Sequence, residues 1–467
     1  MKFLTIAAAR TLAPLLLAMS SPVFADPLGD LHTELEALKA SNALRIEQLE
    51  QRIAQLEAVA ATARSEPSTI APALPPALAP AAAASGGANA FNPALSLILA
   101  GTYRNLSGNP ADYRIVGFVP SGGDAGPGAR GFNLGESELT IAANVDPFFF
   151  GNVTASIHGD NSISVEEAFF RTTALTHGFT IKGGRFFSGL GYLNGVHAHA
   201  WDFVDQPLAY QAFLGNQYPQ DGAQLKWLAP TDLFVEFGLE GGSGHNFPGT
   251  TRGANGLNAT TGFVHVGDDL GDSTSWRSGL SLLRTNAEDR SYMAVDGAGV
   301  PVSNAFTGST QTWVADFILK WAPHGNPTER QLKLQGEYLR RTETGALTFD
   351  TGLRSLAGSY RSQQTGWYLQ GVYQFRPRWR AGLRYDSLDS GEPRIATLPG
   401  GLLPGFAFPD LQNATPTRTS VMLDWNLSEF SRLRAQFAWD QARLNASDHQ
   451  LFLQYIFSLG AHGAHKF

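Results

Sequence analysis

From Asn92 onward the chain alternates apolar and polar residues with period two, in short stretches separated by glycine, proline, asparagine and aspartate. The last stretch shows the pattern most plainly. Leu451, Leu453, Tyr455, Phe457 and Leu459 fall on one side, with Gln450, Gln454 and Ser458 between them. Successive strand residues point to opposite faces, so such a stretch carries one greasy and one wet face. Counting by alternation places strands at 95–104, 136–145, 149–158, 165–173, 179–186, 223–228, 233–240, 262–267, 276–284, 312–321, 332–341, 367–375, 379–387, 418–427, 432–440 and 450–459. The weakest signals are at 223–228 and 262–267. The count is about 16, an even number, as a single-chain up-and-down antiparallel barrel in an outer membrane requires.

Connection lengths support this reading independently. Short turns at Asp146-Pro147, 175–178, 230–232, 323–330, 376–378 and 426–431 alternate with long segments at 188–222, 286–309 and 388–417. Strand parity puts the short turns on one side, with both chain ends. In outer-membrane barrels that side is periplasmic. The expected fold is therefore all-β and transmembrane, and Phe467 supplies the terminal aromatic of such a chain.

Before the strands the period changes. Residues 1–25 carry Lys2 and Arg10, an apolar LAPLLLAM and a Val23-Phe24-Ala25 cleavage site, the form of a secretory signal peptide. Within 26–63, Leu28, Leu31, Leu35, Leu38 and Asn42 keep a three-four spacing that resumes, after a stutter, at Ile46, Leu49, Ile53 and Leu56. Such a narrow seam predicts a short α-helical coiled coil that self-associates in the periplasm. Residues 64–90 are rich in proline and alanine and read as a semi-rigid linker, leaving 91–467 for the barrel.

The 467 residues contain no cysteine, which removes disulfides and thiolate metal sites, and the net charge of −7 gives no reason to expect nucleic acid. No long apolar run follows the leader, which excludes an ordinary helical membrane protein but not a barrel, because alternating strands average out in a hydropathy window.

The apolar register of the strands, including Trp313, Phe317, Leu319 and Trp321, Leu332, Leu334 and Tyr338, Leu383 and Tyr385, Val421, Leu423 and Trp425, and Leu433, Phe437 and Trp439, defines a lipid face. Charge is expensive in hydrocarbon, so the opposite register points to a lumen. Early strands bring Glu136, Glu138, Glu167, Glu236 and Glu240; late strands bring Arg380, Arg384, Arg418, Arg432 and Arg434. Acidic and basic residues on different arcs predict a transverse field that favours small hydrophilic or anionic solutes. The alternative is that the charges keep the lumen wet and pair with Asp386, Asp424 and Asp440.

The GESELTIAANVDPFFFGNVTASI hairpin, the VEEAFF strand and the GGRFFSGLG stretch, joined to a leader and a coiled coil, resemble the phosphate-selective porin O/P-like family and its dicarboxylate-porin relatives. The resemblance covers nearly the whole mature chain and implies a 16-stranded trimeric porin, three chains being tied together by the periplasmic coiled coil. The lysine cluster of the phosphate-selective members is not matched: lysines here are spread over Lys182, Lys226, Lys320 and Lys333.

By strand parity 188–222 is the third extracellular loop, and it is too apolar to stand in water, with Leu193, Val196, Trp201, Phe203, Leu208, Tyr210 and Phe213 all needing a packing surface. Folded into the lumen it forms a constriction, with Trp201, Asp202, Asp205 and Tyr210 as candidate lining; a latch onto a neighbouring subunit is the alternative. Within it His197 and His199 share one face of an extended segment and, with Asp202 or Asp205, form an incomplete Zn²⁺ set. His462 and His465 fall on the periplasmic side, too far to complete it. Gly241-Gly242-Ser243-Gly244-His245 departs from G-x-S-x-G at its last position.

These readings converge on a non-enzymatic outer-membrane porin that passes small hydrophilic solutes around an inward-folded third loop, surrounded by lipid and without a resident cofactor. A zinc-linked uptake receptor is the alternative reading, and a barrel enzyme the more distant one.

Overall fold

The computed structural model describes Lys39 and residues 93–122, 125–250, 255–397, 403–404 and 407–460. Apart from Lys39, the leader, coiled-coil and linker expectations lie outside the described residues, as do His462, His465 and Phe467.

Sixteen antiparallel strands follow one another around a closed barrel. They are β1 (Ala94–Leu106), β2 (Gly131–Leu134 and Ser137–Asn144, both paired with β1), β3 (Phe149–Ile157), β4 (Ile163–Thr172), β5 (Phe179–Phe187), β6 (Pro219–Leu228), β7 (Phe234–Gly242), β8 (Ala259–Leu270), β9 (Thr274–Val295), β10 (Pro301–Trp321), β11 (Gln331–Phe349), β12 (Leu356–Arg376), β13 (Trp379–Asp389, continued by Arg394–Thr397), β14 (Thr417–Ser428), β15 (Ser431–Asp440) and β16 (Asp448–Gly460). The cylinder closes where β1 meets β16, with Gly101 opposite Tyr455 and Leu97 opposite Leu459. Closure leaves no free sheet edge, the condition for β-structure to sit in hydrocarbon.

All sixteen predicted strands are present. One predicted long loop is not: through 286–309 the backbone of β9 and β10 stays paired, and the connection tightens to a hairpin in which the Asp296 and Val300 backbones bond at 2.9 Å. A register shift between Ala287 and Arg290 breaks the alternation there, so the period signal fails while the hydrogen-bond ladder continues. The third loop is also shorter than read, since β6 already begins at Pro219.

Outward positions form an apolar belt. Leu383 is 55 % exposed and sits between Gly371 and Val421; Leu433, Leu453 and Phe317 are exposed in the same way on their own strands. Aromatic pairs mark the belt's margins, Trp379 stacked on Trp425 near the short turns and Trp367 tilted on Tyr385 toward the long loops. Two aromatic girdles around an apolar band are the pattern of a barrel in a bilayer. Among the described residues no helix is long and apolar enough to cross a membrane.

The inward register is not uniformly polar. Val314, Leu339, Tyr368 and Leu388, all inward-facing, pack against Leu208, Tyr210, Phe213 and Leu214 of the third loop in the largest apolar cluster. The wall thus carries an apolar patch against which that loop folds.

Candidate functional site: the third loop and the inner wall

Residues 188–218 enter the barrel and return. Their central element is one short helix, α1 (Leu208–Leu214), in which every residue is buried. Gly215 ends it in the left-handed conformation at φ 66°, which glycine adopts without strain. Its first free N–H, on Leu208, donates to Asp386 Oδ1 of β13 at 3.0 Å, so a wall carboxylate satisfies an orphan donor of the first turn. The apolar loop residues that made the sequence improbable in water are thereby covered.

Charged groups bind the rest of the loop. Asp202 accepts from Lys333 Nζ at 2.8 Å and Arg380 at 3.1 Å. Asp205 accepts from Arg384 at 2.9 Å and Gln436 at 2.8 Å and is ion-paired with Arg418 at 2.7 Å. Burial alone would raise both carboxyls; the Lys333 and Arg380 charges hold Asp202 well below the usual carboxylate range, and Arg418 and Arg384 hold Asp205 at about 2. Backbone carbonyls are bound too, with Arg434 donating to Trp201 and Arg432 to His199. Tyr210 and Tyr368 hydroxyls donate to Glu337, at 2.8 Å and 2.7 Å, and this carboxylate also receives the Leu193 N–H at 2.9 Å.

On the opposite arc the loop presents imidazoles to carboxylates. His197 Nδ1 lies 3.1 Å from Glu166 and 3.2 Å from Glu138, and its Nε2 lies 3.2 Å from Glu167. His199 Nδ1 is 2.8 Å from Glu138. Burial works against protonation of His197, but hydrogen bonding to the Glu138, Glu166 and Glu167 carboxylates raises its pKa well above the ordinary histidine value.

Of the sequence candidates, Arg380, Arg384, Arg418, Arg432 and Arg434 face inward and meet the loop. Glu138 and Glu167 meet it from the other side, and Glu240 accepts from Ser188 and from the Gly189 N–H at 2.8 Å. Glu236 is apart from the loop, paired with Lys226 at 2.6 Å and His265 at 3.3 Å. Glu136 lies in the break within β2 and lines a cavity of about 730 Å³ with Thr102, Arg104, His199 and Gln454. The two histidines do not share Asp202 or Asp205, as the spacing suggested: those aspartates turn to the late arginines and lysine, and the glutamates take their place.

The late arginines are also paired on the wall itself, Arg384 with Asp386 at 3.0 Å, Arg434 with Asp424 at 2.7 Å and Arg380 with Asp424. Buried charges survive only when paired and hydrogen-bonded, and Arg380, Arg384 and Arg434 meet both conditions. A second cavity of about 420 Å³, lined by Lys320, Lys333, Arg380, Asp202 and Gln374, lies toward the short turns.

Two residues central to the site were not singled out in the sequence. Glu337 has the parity opposite to Leu334 and Tyr338 and is legible on that ground. Glu166 and Glu167 both point inward because a bulge opposite Thr154 and Ala155 breaks the period. The readable signal was two adjacent carboxylates in a membrane strand, one of which regular pleating would send into lipid.

The Ser243 motif gathers a carboxylate that the sequence did not connect. Ser243 Oγ is 2.6 Å from His245 Nδ1, and His245 Nε2 is 3.3 Å from Asp221. Asp221, however, is held by both Arg185 Nε at 2.6 Å and Nη2 at 2.8 Å, so its charge is spent on the guanidinium rather than on a developing imidazolium.

No protein-family model matches the chain. By overall structure it is similar to an OmpT loop-deletion mutant, an outer membrane protein of Vibrio cholerae, with 11% identity, 79% of this chain and 99% of that one covered and a TM-score of 0.49. It is also similar to the outer membrane channel DcaP of Acinetobacter baumannii, with 11% identity, 79% and 97% covered and a TM-score of 0.46. An anion-selective porin from Comamonas acidovorans gives 11% identity, 79% and 99% covered and a TM-score of 0.47. By sequence, an uncharacterized protein of Aquifex aeolicus (strain VF5) is 30% identical over 357 residues, 72% of this chain and 70% of that protein. The chain belongs to the same family as that Aquifex aeolicus protein.

Proposed function

We propose that the protein is a passive diffusion channel, a porin, of a bacterial outer membrane, in which the third loop narrows the path of small hydrophilic solutes. The observation that carries this reading is the segregation on one closed cylinder: an apolar belt with aromatic margins outside, and ionised, hydrogen-bonded side chains inside. Hydrocarbon tolerates the first and not the second.

The finer parts of the reading are a homotrimer tied by the coiled coil of residues 26–63, and a preference for anions. The second is supported by the cavity toward the short turns, where Lys320, Lys333 and Arg380 face a single carboxylate, Asp202. The larger cavity has mixed lining, with Glu136, Glu166 and Asp205 beside Arg104. A solute passing from one to the other crosses between the acidic and basic arcs, a geometry that orients dipolar molecules.

Liposome swelling tests the reading. Vesicles carrying the protein should swell in small sugars and small dicarboxylates at rates that fall steeply with solute size, and Lys320→Glu should slow the dicarboxylate selectively. Vesicles that stay impermeable while the barrel is folded would refute passive diffusion.

A further inference from the structure

We propose that Glu138, Glu166 and His197 form a divalent-cation site of the Zn²⁺ type that staples the third loop to strands β2 and β4. The three donors come from three separate elements, and one ligand atom from each lies within 4.8 Å of the other two. His197 Nδ1 stands 3.1 Å from the Glu166 carboxylate and 3.2 Å from the Glu138 carboxylate. One ring nitrogen carries at most one proton and cannot serve two acceptors equally. A tetrahedral ion with bonds of about 2.0–2.1 Å separates its ligands by roughly 3.3 Å, close to both distances from His197, and the two carboxylate oxygens lie within 4.8 Å of each other.

Charge balance points the same way. Glu136, Glu138, Glu166 and Glu167 surround His197 and His199, and Lys182 acts on Glu167 from β5. With neutral rings, as ligation requires, and one proton shared in the Glu136–Glu166 hydrogen bond, three negative charges face one ammonium, an excess that a divalent cation offsets. Imidazole nitrogen with carboxylate oxygen is a donor set suited to Zn²⁺ rather than to Mg²⁺ or Ca²⁺, which prefer oxygen alone. His199 at 2.8 Å from Glu138 supplies the hydrogen bond that orients a ligating carboxylate. The cavity of about 730 Å³ reaches Glu166 and His199, giving the ion an entry path and the fourth position a water. The site needs no assumption about solute flow and stands or falls apart from the porin reading.

The test is metal retention by untagged, full-length protein in detergent. After chelator treatment and dialysis against Zn²⁺, elemental analysis should find one tightly held Zn²⁺ per chain, and Co²⁺ substitution should give the visible absorption of a four-coordinate site. Glu138→Gln and Glu166→Gln, nearly isosteric, should each weaken retention 10–100-fold, and His197→Ala should abolish it, while His462→Ala with His465→Ala leaves it unchanged. Heat-modifiable migration confirms folding of every variant, and Glu138→Gln serves where His197→Ala fails to fold. A wild-type protein that retains no Zn²⁺, or retention unchanged in folded Glu138→Gln and Glu166→Gln, would overturn the proposal.

Discussion

Asp205 is the residue on which docking of the charged half of the third loop depends most. Its carboxylate takes hydrogen bonds from Gln436 at 2.8 Å and Arg384 at 2.9 Å and an ion pair from Arg418 at 2.7 Å, and both guanidiniums are almost fully buried. Asp205→Ala removes the side-chain acceptor and leaves those arginines with the Asp386 and Asp440 carboxylates and the backbone carbonyls of residues 205 and 206. Breaking one partner out of a buried ion pair costs about 3–5 kcal/mol. Against this, Leu208, Tyr210 and Phe213 stay buried, and a fully buried large apolar side chain contributes roughly 1.5–3 kcal/mol. Together they outweigh the loss, so α1 should remain seated while the segment before it opens more often. At 1.4 kcal/mol per factor of ten, local opening should rise by about 10² to 4 × 10³. The assay is amide hydrogen exchange followed by mass spectrometry. The Val204 N–H, which donates to Gln436 at 2.7 Å, should exchange that much faster, and amides of the paired strands β10 and β11 should not change. Exchange at Val204 indistinguishable from the parent would show that the ion pairs do not hold the loop.

Further expectations follow from the same contacts. Asp205 is held at about 2 in the folded state and Asp202 lower still, both below the unfolded aspartate value of about 3.9, so their contribution is fully present above about pH 4 and is lost as pH falls through the folded values. Val204 protection, corrected for intrinsic exchange, should therefore hold from pH 7 to 5 and fall only below about pH 3; a midpoint near pH 5 would contradict the pairing. Glu337→Gln leaves one acceptor oxygen for donors that now share a carboxylate, and should cost about 1–3 kcal/mol in reversible unfolding, with loss of protection at Leu193. Leu383→Arg places a charge in the apolar belt and should lower folding stability in lipid vesicles by about 2–4 kcal/mol, whereas no loss would mean that Leu383 does not meet hydrocarbon.

The sequence made the strands legible because lipid and lumen impose opposite demands on alternate residues. Where those demands fade, the reading faded too. Through 286–309 a register shift between Ala287 and Arg290 breaks the alternation although backbone pairing continues and Tyr292, Val302 and Phe306 keep one face buried, so the segment read as a loop. The apolar third loop announced that it needed a surface, and the arginines announced an inner wall. Their meeting could not be read, because the partners of Asp205 stand 179 to 231 residues away in sequence. The glutamates facing His197 were hidden for a different reason: a bulge places Glu166 inward, and period-two reasoning assigns it outward. The apolar patch of Val314, Leu339 and Tyr368 on the inner wall was likewise masked, since alternation assigns apolar residues to lipid.

The central claim is that the barrel conducts passively around a loop clamped by Asp202 and Asp205. Single-channel recording of the purified protein in planar bilayers tests it most directly. The account predicts discrete steps with no energy source, and larger, noisier steps when Asp202→Ala and Asp205→Ala are combined. A folded, inserted barrel that passes no current in either form would contradict it.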